Sequence, residues 1–144
     1  MSADRQVVYV LEVADRPGIM HSIAAVFAHR GLSIHGLVAD TGRKPPRILV
    51  VFEGTPRQQT LVEQVLARLH HVHQLRMLPA SSPQLRAVAI CRTLGPLPLL
   101  EGVVAQLDDD MALLSGSYAA VDAALDRLTE AGLVSEISRS LVAL

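Results

Sequence analysis

The chain has no tryptophan, and its aromatic residues are Tyr9, Phe27, Phe52 and Tyr118 alone. So few rings exclude a base-stacking platform. A net charge of -1 removes the electrostatic drive toward a phosphate backbone. The single cysteine, Cys91, excludes an internal disulfide and a thiolate metal cage. Its place in a short apolar run predicts a buried strand position. No uncharged stretch reaches membrane-spanning length, and the N-terminus carries no apolar signal segment. The expectation is a cytoplasmic protein that contacts neither nucleic acid nor membrane.

Motifs of chemistry are scarce as well. There is no phosphate-binding glycine loop, no HExxH and no nucleophile elbow around Ser33, Ser115 or Ser117. Folding could bring Asp15 and Asp40 together, but nothing in the sequence marks them as a catalytic pair. His21 and His29 fall eight apart on one helix and His35 on a strand, while His70, His71 and His73 cluster in what reads as a surface loop. The expectation is a protein that is not an enzyme, with no catalytic residue, cofactor or metal.

What is present is a globular composition, 50% hydrophobic and 19% charged over 144 residues. That length allows one domain or two small ones, and two would each have a marginal core. The apolar run at Gln6 to Glu12 predicts a strand, and Ile19, Ile23, Val26 and Phe27 mark a helix that stops at Gly31. Ser33 to Ala39 reads as a second strand. Ile48 to Phe52 is a continuous apolar run, expected as a central strand covered on both faces. Thr55-Pro56-Arg57-Gln58 matches a capping box. It opens a helix with Leu61, Val65 and Leu69 on one face, joined by Val62 and Leu66. Val72 to Leu78 closes the unit as a strand. This βαββαβ order predicts a ferredoxin-like split arrangement with both helices on one sheet face.

Pro79 to Pro83 reads as a linker between domains at 1–79 and 84–144. In the second domain, Leu85 to Cys91 predicts a strand. Leu97, Leu100, Val103, Val104 and Leu107 predict a short helix, Asp108 to Asp110 a solvated loop, and Met111 to Leu114 a strand. Ser117 caps a helix ending before Gly132, and Val134 to Leu144 is the last strand. The fold class is α+β: a ferredoxin-like domain followed by a smaller α+β domain.

Between the first strand and helix lies Asp15-Arg16-Pro17-Gly18, a turn that aims the unpaired N–H groups of a helix start at whatever sits above it. Val10 to Ile19, continued by Phe27 to Ile34 and by Arg47 to Glu53, resembles the start of an ACT domain, the small regulatory module of amino-acid metabolism. Over nearly its whole length, with Ser115-Gly116-Ser117-Tyr118 and the ending from Glu136 to Leu144, the chain resembles the regulatory small subunits of acetolactate synthase. That resemblance implies a noncatalytic homodimer. It would bind a small, valine-like amino acid between two ACT domains and act on the large catalytic subunit of a thiamine-diphosphate enzyme of branched-chain amino-acid biosynthesis. The implied ligand-binding residues are Asp15, Gly18, Ile19, Ser33 and Ile34. Gly18 and Ile19 would offer backbone N–H groups to a carboxylate, and Asp15 and Ser33 would face the polar end of the ligand. Asp15 and Ser33 both replace an asparagine usual in the family; an aspartate accepts from an ammonium and cannot donate to a carboxylate. The alternative is a structural or protein-interaction module that has lost its ligand.

Overall fold

The computed structural model describes residues 5–144, which fall into two units, Met1–Ala80 and Ser81–Leu144. The first contains β1 (Gln6–Val13), α1 (Ile19–Ala28), β2 (Ile34–Asp40), β3 (Arg47–Glu53), α2 (Pro56–Ala67) and β4 (Val72–Pro79). Its antiparallel sheet has the order β2-β3-β1-β4. The βαββαβ expectation holds.

Period-two alternation divides the strands between two faces. Val7, Tyr9, Leu11 and Val13 of β1 join Ile48, Val50 and Phe52 of β3 in one core with Ile19, Ile23, Val26 and Phe27 of α1 and Val62 and Leu66 of α2. Tyr9, Phe27 and Phe52 pack with ring centroids 5.5–6.4 Å apart, and such pairs contribute about 0.5–1.5 kcal/mol each beyond buried area. On the opposite face Val8, Val10, Leu49 and Val51 are buried too, so the run Ile48 to Phe52 is covered on both sides as expected.

The inward face of α2 differs from the expected one. Leu61 is exposed, and Gln59 takes a buried position beside Val62 and Leu66. Gln59 tolerates burial because its Nε2 donates to the carbonyls of Arg5 and Gly54, both at 3.0 Å. Its backbone carbonyl accepts from the Tyr9 hydroxyl at 2.7 Å. Burial pushes that phenol well above its ordinary pKa, and the charge of Glu63 adds to the effect.

The capping box forms as expected. Thr55 Oγ1 accepts from the Gln58 N–H at 3.2 Å, and Gln58 Oε1 accepts from the Thr55 N–H at 2.9 Å. Thr55→Ala is expected to cost about 1 kcal/mol, read as a lower thermal midpoint by circular dichroism.

The second unit contains β5 (Leu85–Thr93), β6 (Val103–Asp108), β7 (Met111–Ser117), α3 (Tyr118–Glu130) and β8 (Val134–Ala143). Its sheet order is β6-β7-β5-β8. Strand for strand this repeats the first unit, with β5 in the place of β1, β6 of β2, β7 of β3 and β8 of β4. One element is missing: no helix joins β5 to β6. The expected helix from Leu97 to Leu107 is an irregular strap followed by β6. Its apolar spacing imitates a helix, but Gly102, in the middle of that span, takes the left-handed conformation at φ +73° and turns the chain. Val103 to Asp108 pair instead with β7. Asp109 and Asp110 form the hairpin tip, with Asp109 at φ +54°. Arg92 donates to Asp110 and to Glu136, the latter at 2.7 Å. The α3 cap is as expected: Ser117 Oγ accepts from the Ala120 N–H at 3.1 Å.

Candidate ligand-binding site

The segment after β1 is pinned on two sides. The Val13 N–H donates to the Pro46 carbonyl at 3.0 Å, and the Ala14 N–H to the His71 carbonyl at 2.9 Å. Beyond those anchors Asp15, Arg16, Pro17 and Gly18 are all exposed. Gly18 is the N-cap of α1, at φ +87° and with no side-chain cap. A Cβ there would meet nothing within 4 Å. Glycine is therefore required for its conformation and not for crowding.

The first helical bond runs from the Ser22 N–H to the Gly18 carbonyl at 2.9 Å, and the Ser22 hydroxyl donates to the same oxygen at 3.2 Å. The Ile19 N–H reaches the Arg16 carbonyl only at 3.4 Å. Helix geometry leaves the N–H groups of Met20 and His21 without an intrahelical acceptor. No acidic side chain lies in the first turn, so nothing there offsets the partial positive charge of the helix end. Met20 is not among the residues the sequence marks, and His21 is marked there only as a histidine; the signal for both is their position two and three residues after the turn glycine. The Ile19 side chain is committed to the core, so this residue has only its backbone to offer a ligand.

Ser33 and Ile34 lie elsewhere. Ser33 is exposed just before β2, and Ile34 is half-buried against the core. Ile34 pairs with Phe52, and Phe52 with Val7 at the start of β1, whereas Asp15 follows the end of β1. Six residue steps of strand, about 20 Å, separate the two groups. One chain thus divides the candidate residues into two groups: Asp15, Gly18 and Ile19 at one end of the sheet, Ser33 and Ile34 at the other. Asp40, opposite Arg47 and so in line with Glu12, shares the end that carries Asp15.

The histidine cluster is not a plain surface loop. His73 is in β4, the His71 carbonyl holds the site loop, and the His70 and His71 rings lie 4.5 Å apart. Desolvation, then the charges of His70, Arg16 and His73, push the His71 imidazole below its ordinary 6.5. Its folded pKa is thus below its unfolded one, so the unfolded chain takes up this proton first as the pH drops. Stability is expected to fall as pH falls from 6.5 through the lowered value and then level off. Thermal midpoints between pH 7.5 and 5 check this, and Arg16→Ala is expected to flatten the dependence.

Cys91 is buried, and burial pushes its thiol upward, away from reactivity. Among the described residues no group of three or more His, Cys, Asp or Glu side chains could hold a metal ion. No helix among them is long and apolar enough to cross a membrane.

The family model described as "AHAS small subunit-like ACT domain" matches residues 10–74, a span that includes both groups of candidate residues. Among solved structures, the acetolactate synthase small subunit from Thermotoga maritima aligns with a TM-score of 0.67 at 20% identity, over 97% of this chain and 96% of that one. The ligand-free regulatory subunit of aspartate kinase from Thermus thermophilus aligns with a TM-score of 0.48 at 15% identity, over 88% and 92% of the two chains. No curated protein matches the chain. At such identities the likeness to the Thermotoga protein is one of fold.

Proposed function

We propose that the chain is a noncatalytic regulatory subunit that binds a small amino acid between two copies and modulates an acetolactate synthase-like enzyme of branched-chain amino-acid biosynthesis, a reading supported by the family-model match over residues 10–74. The observation that carries this reading is Gly18, a left-handed N-cap without a side-chain cap that leaves the start of α1 open to an anion.

Strand topology supplies the second half-site. β2 is an edge strand, parallel to β1 through their shared antiparallel neighbour β3. A two-fold axis that pairs β2 with β2 of a second copy, antiparallel, sets the start of one β2 beside the end of the other. Ser33 and Ile34 of the second copy then stand at the end that carries Asp15 and Gly18. A free amino acid fits this composite site in one orientation. Its carboxylate meets the N–H groups at the start of α1, and its ammonium meets the exposed Asp15 carboxylate. A valine-like side chain lies toward Ile34. The reversed orientation sets carboxylate against carboxylate and is disfavoured.

Regulation follows by linkage. A ligand bound across the dimer favours the paired arrangement, and an enzyme that binds that arrangement better responds to the ligand. The partner in this reading is the large subunit of a thiamine-diphosphate enzyme in the cytoplasm. Calorimetric titration with valine, leucine, isoleucine and other amino acids tests the effector. Heat and a raised thermal midpoint are expected for at least one branched-chain amino acid. No heat and no shift across the panel would leave an interaction module without a ligand. Co-purification from the native host tests the partner enzyme.

A further inference from the structure

The sheet of the second unit presents an apolar face that the chain leaves open. In β5, Leu85, Ala87, Ala89 and Cys91 are buried toward α3, while Arg86, Val88, Ile90 and Arg92 point the other way. Cross-strand pairing extends that outer face. Val104 of β6 opposes Ser115, which opposes Val88, and Gln106 opposes Leu113, which opposes Ile90. Val142 of β8 opposes Arg86. Val88 is 43% exposed, Ile90 48%, Val104 65%, Met111 43% and Val142 54%. The corresponding positions of the first unit, Val8, Val10, Leu49 and Val51, are all buried. One sheet order thus occurs twice in the chain with the same sheet face covered in one unit and bare in the other.

The charges on the bare face are polar in arrangement. At one end Arg86 has no ion-pair partner among the described residues. At the other end Asp108, Asp110 and Glu136 gather around Arg92, three carboxylates against one guanidinium. We propose that this face is an interface between two copies of the chain, stacked sheet on sheet about a two-fold axis that lies between the sheets and perpendicular to the strands.

That axis stacks β5 on β5, so Arg86 of each copy lies over the Arg92 end of the other, where Asp110 and Glu136 flank that guanidinium, with Val88, Ile90 and Leu113 meeting in the middle. An axis along the strands would oppose Arg86 to Arg86 and the carboxylates to each other. Ser115, Ser138 and Ser140 are short enough to let the sheets approach to about 10 Å, the usual stacking distance. A four-stranded patch six residues deep covers about 400 Å² in projection; counted as side-chain surface on both copies, it nears the ~1,000 Å² at which specific interfaces begin. The surface is separate from the β2 edge, which belongs to the first unit.

Sedimentation of the full chain over a range of concentrations tests the proposal. Ile90→Glu buries a charge in the stacked face and is expected to raise the dissociation constant of the largest assembly at least ~10-fold. Arg86→Glu is expected to raise it less, and adding Glu136→Lys to that variant, beside Arg92, is expected to restore part of it. All three positions are exposed, so the thermal midpoint should hold. Identical sedimentation of the wild type and Ile90→Glu would assign the face to some other occupant and overturn the proposal. A charge swap that fails to restore assembly would overturn the two-fold arrangement. Amino-acid titration of Ile90→Glu is expected to match the wild type, so failure of this interface and failure of the effector site are read separately.

Discussion

Gly18→Val is expected to abolish effector binding while the first unit stays folded. The backbone there is at φ +87°, where a β-branched residue is strained, at a cost of about 1–3 kcal/mol. Nothing within 4 Å of the new Cβ adds a clash. The core of Tyr9, Phe27, Phe52 and their neighbours is unaffected, so the loss appears as a lowered but still cooperative thermal transition. Binding suffers more. The isopropyl group stands over the start of α1, where the proposed ligand's carboxylate would meet backbone N–H groups. Each charge-assisted bond lost there removes about 1.5–3 kcal/mol, or roughly 10- to 100-fold in affinity. Gly18→Ala separates the causes: it carries similar strain with less bulk, so its midpoint should fall about as far while its affinity falls less. Calorimetry beside thermal melting reads both quantities. A Gly18→Val chain that binds its amino acid as tightly as the wild type would place the ligand elsewhere.

The first unit was legible because its local signals agree with its tertiary structure. Apolar runs, the turn at Pro17-Gly18, the stop at Gly31 and the capping box at Thr55 all point to the same order of elements. The misplaced face of α2 was not legible. Gln59 is buried on account of two carbonyl acceptors, on Arg5 and Gly54, and the first of these is set by the fold and not by neighbouring sequence. In the second unit the conflict was visible. A helical spacing of apolar residues ran from Leu97 to Leu107 across Gly102, and the turn at that glycine prevailed over the periodicity. Sequence spacing did not show how the candidate residues are distributed over the sheet. Sequence places Ser33 eighteen residues from Asp15. Only the parallel course of β1 and β2 puts them at opposite ends of the sheet, and the proposed second copy is what would bring such groups together.

Gly116→Ala is expected to destabilise the second unit by about 3 kcal/mol or more, the upper range for forcing extra volume into a packed site. At most strand positions, replacing glycine by alanine is favourable by roughly 0.5–1 kcal/mol. Here the new Cβ would lie 2.6 Å from the Gly102 carbonyl oxygen, a backbone atom. It cannot rotate away as a side chain could. Gly102 is held at φ +73° with Ala120 of α3 beside it, and Val103 immediately begins the pairing of β6 with Gly116 itself. The strap that replaces the missing helix therefore returns to the sheet through a gap that only a hydrogen at position 116 leaves open. Gly95→Ala, at the start of the same strap, is the control. Its Cβ would meet only the Leu133 side chain, at 3.6 Å, an ordinary contact expected to change stability by less than about 0.5 kcal/mol. Urea titration of the two variants measures the difference. Equal midpoints would show that the strap does not seat against β7. The expected loss at 116 alone gives a physical cause for the glycine of Ser115-Gly116-Ser117-Tyr118: the close crossing of the chain just before the cap of α3.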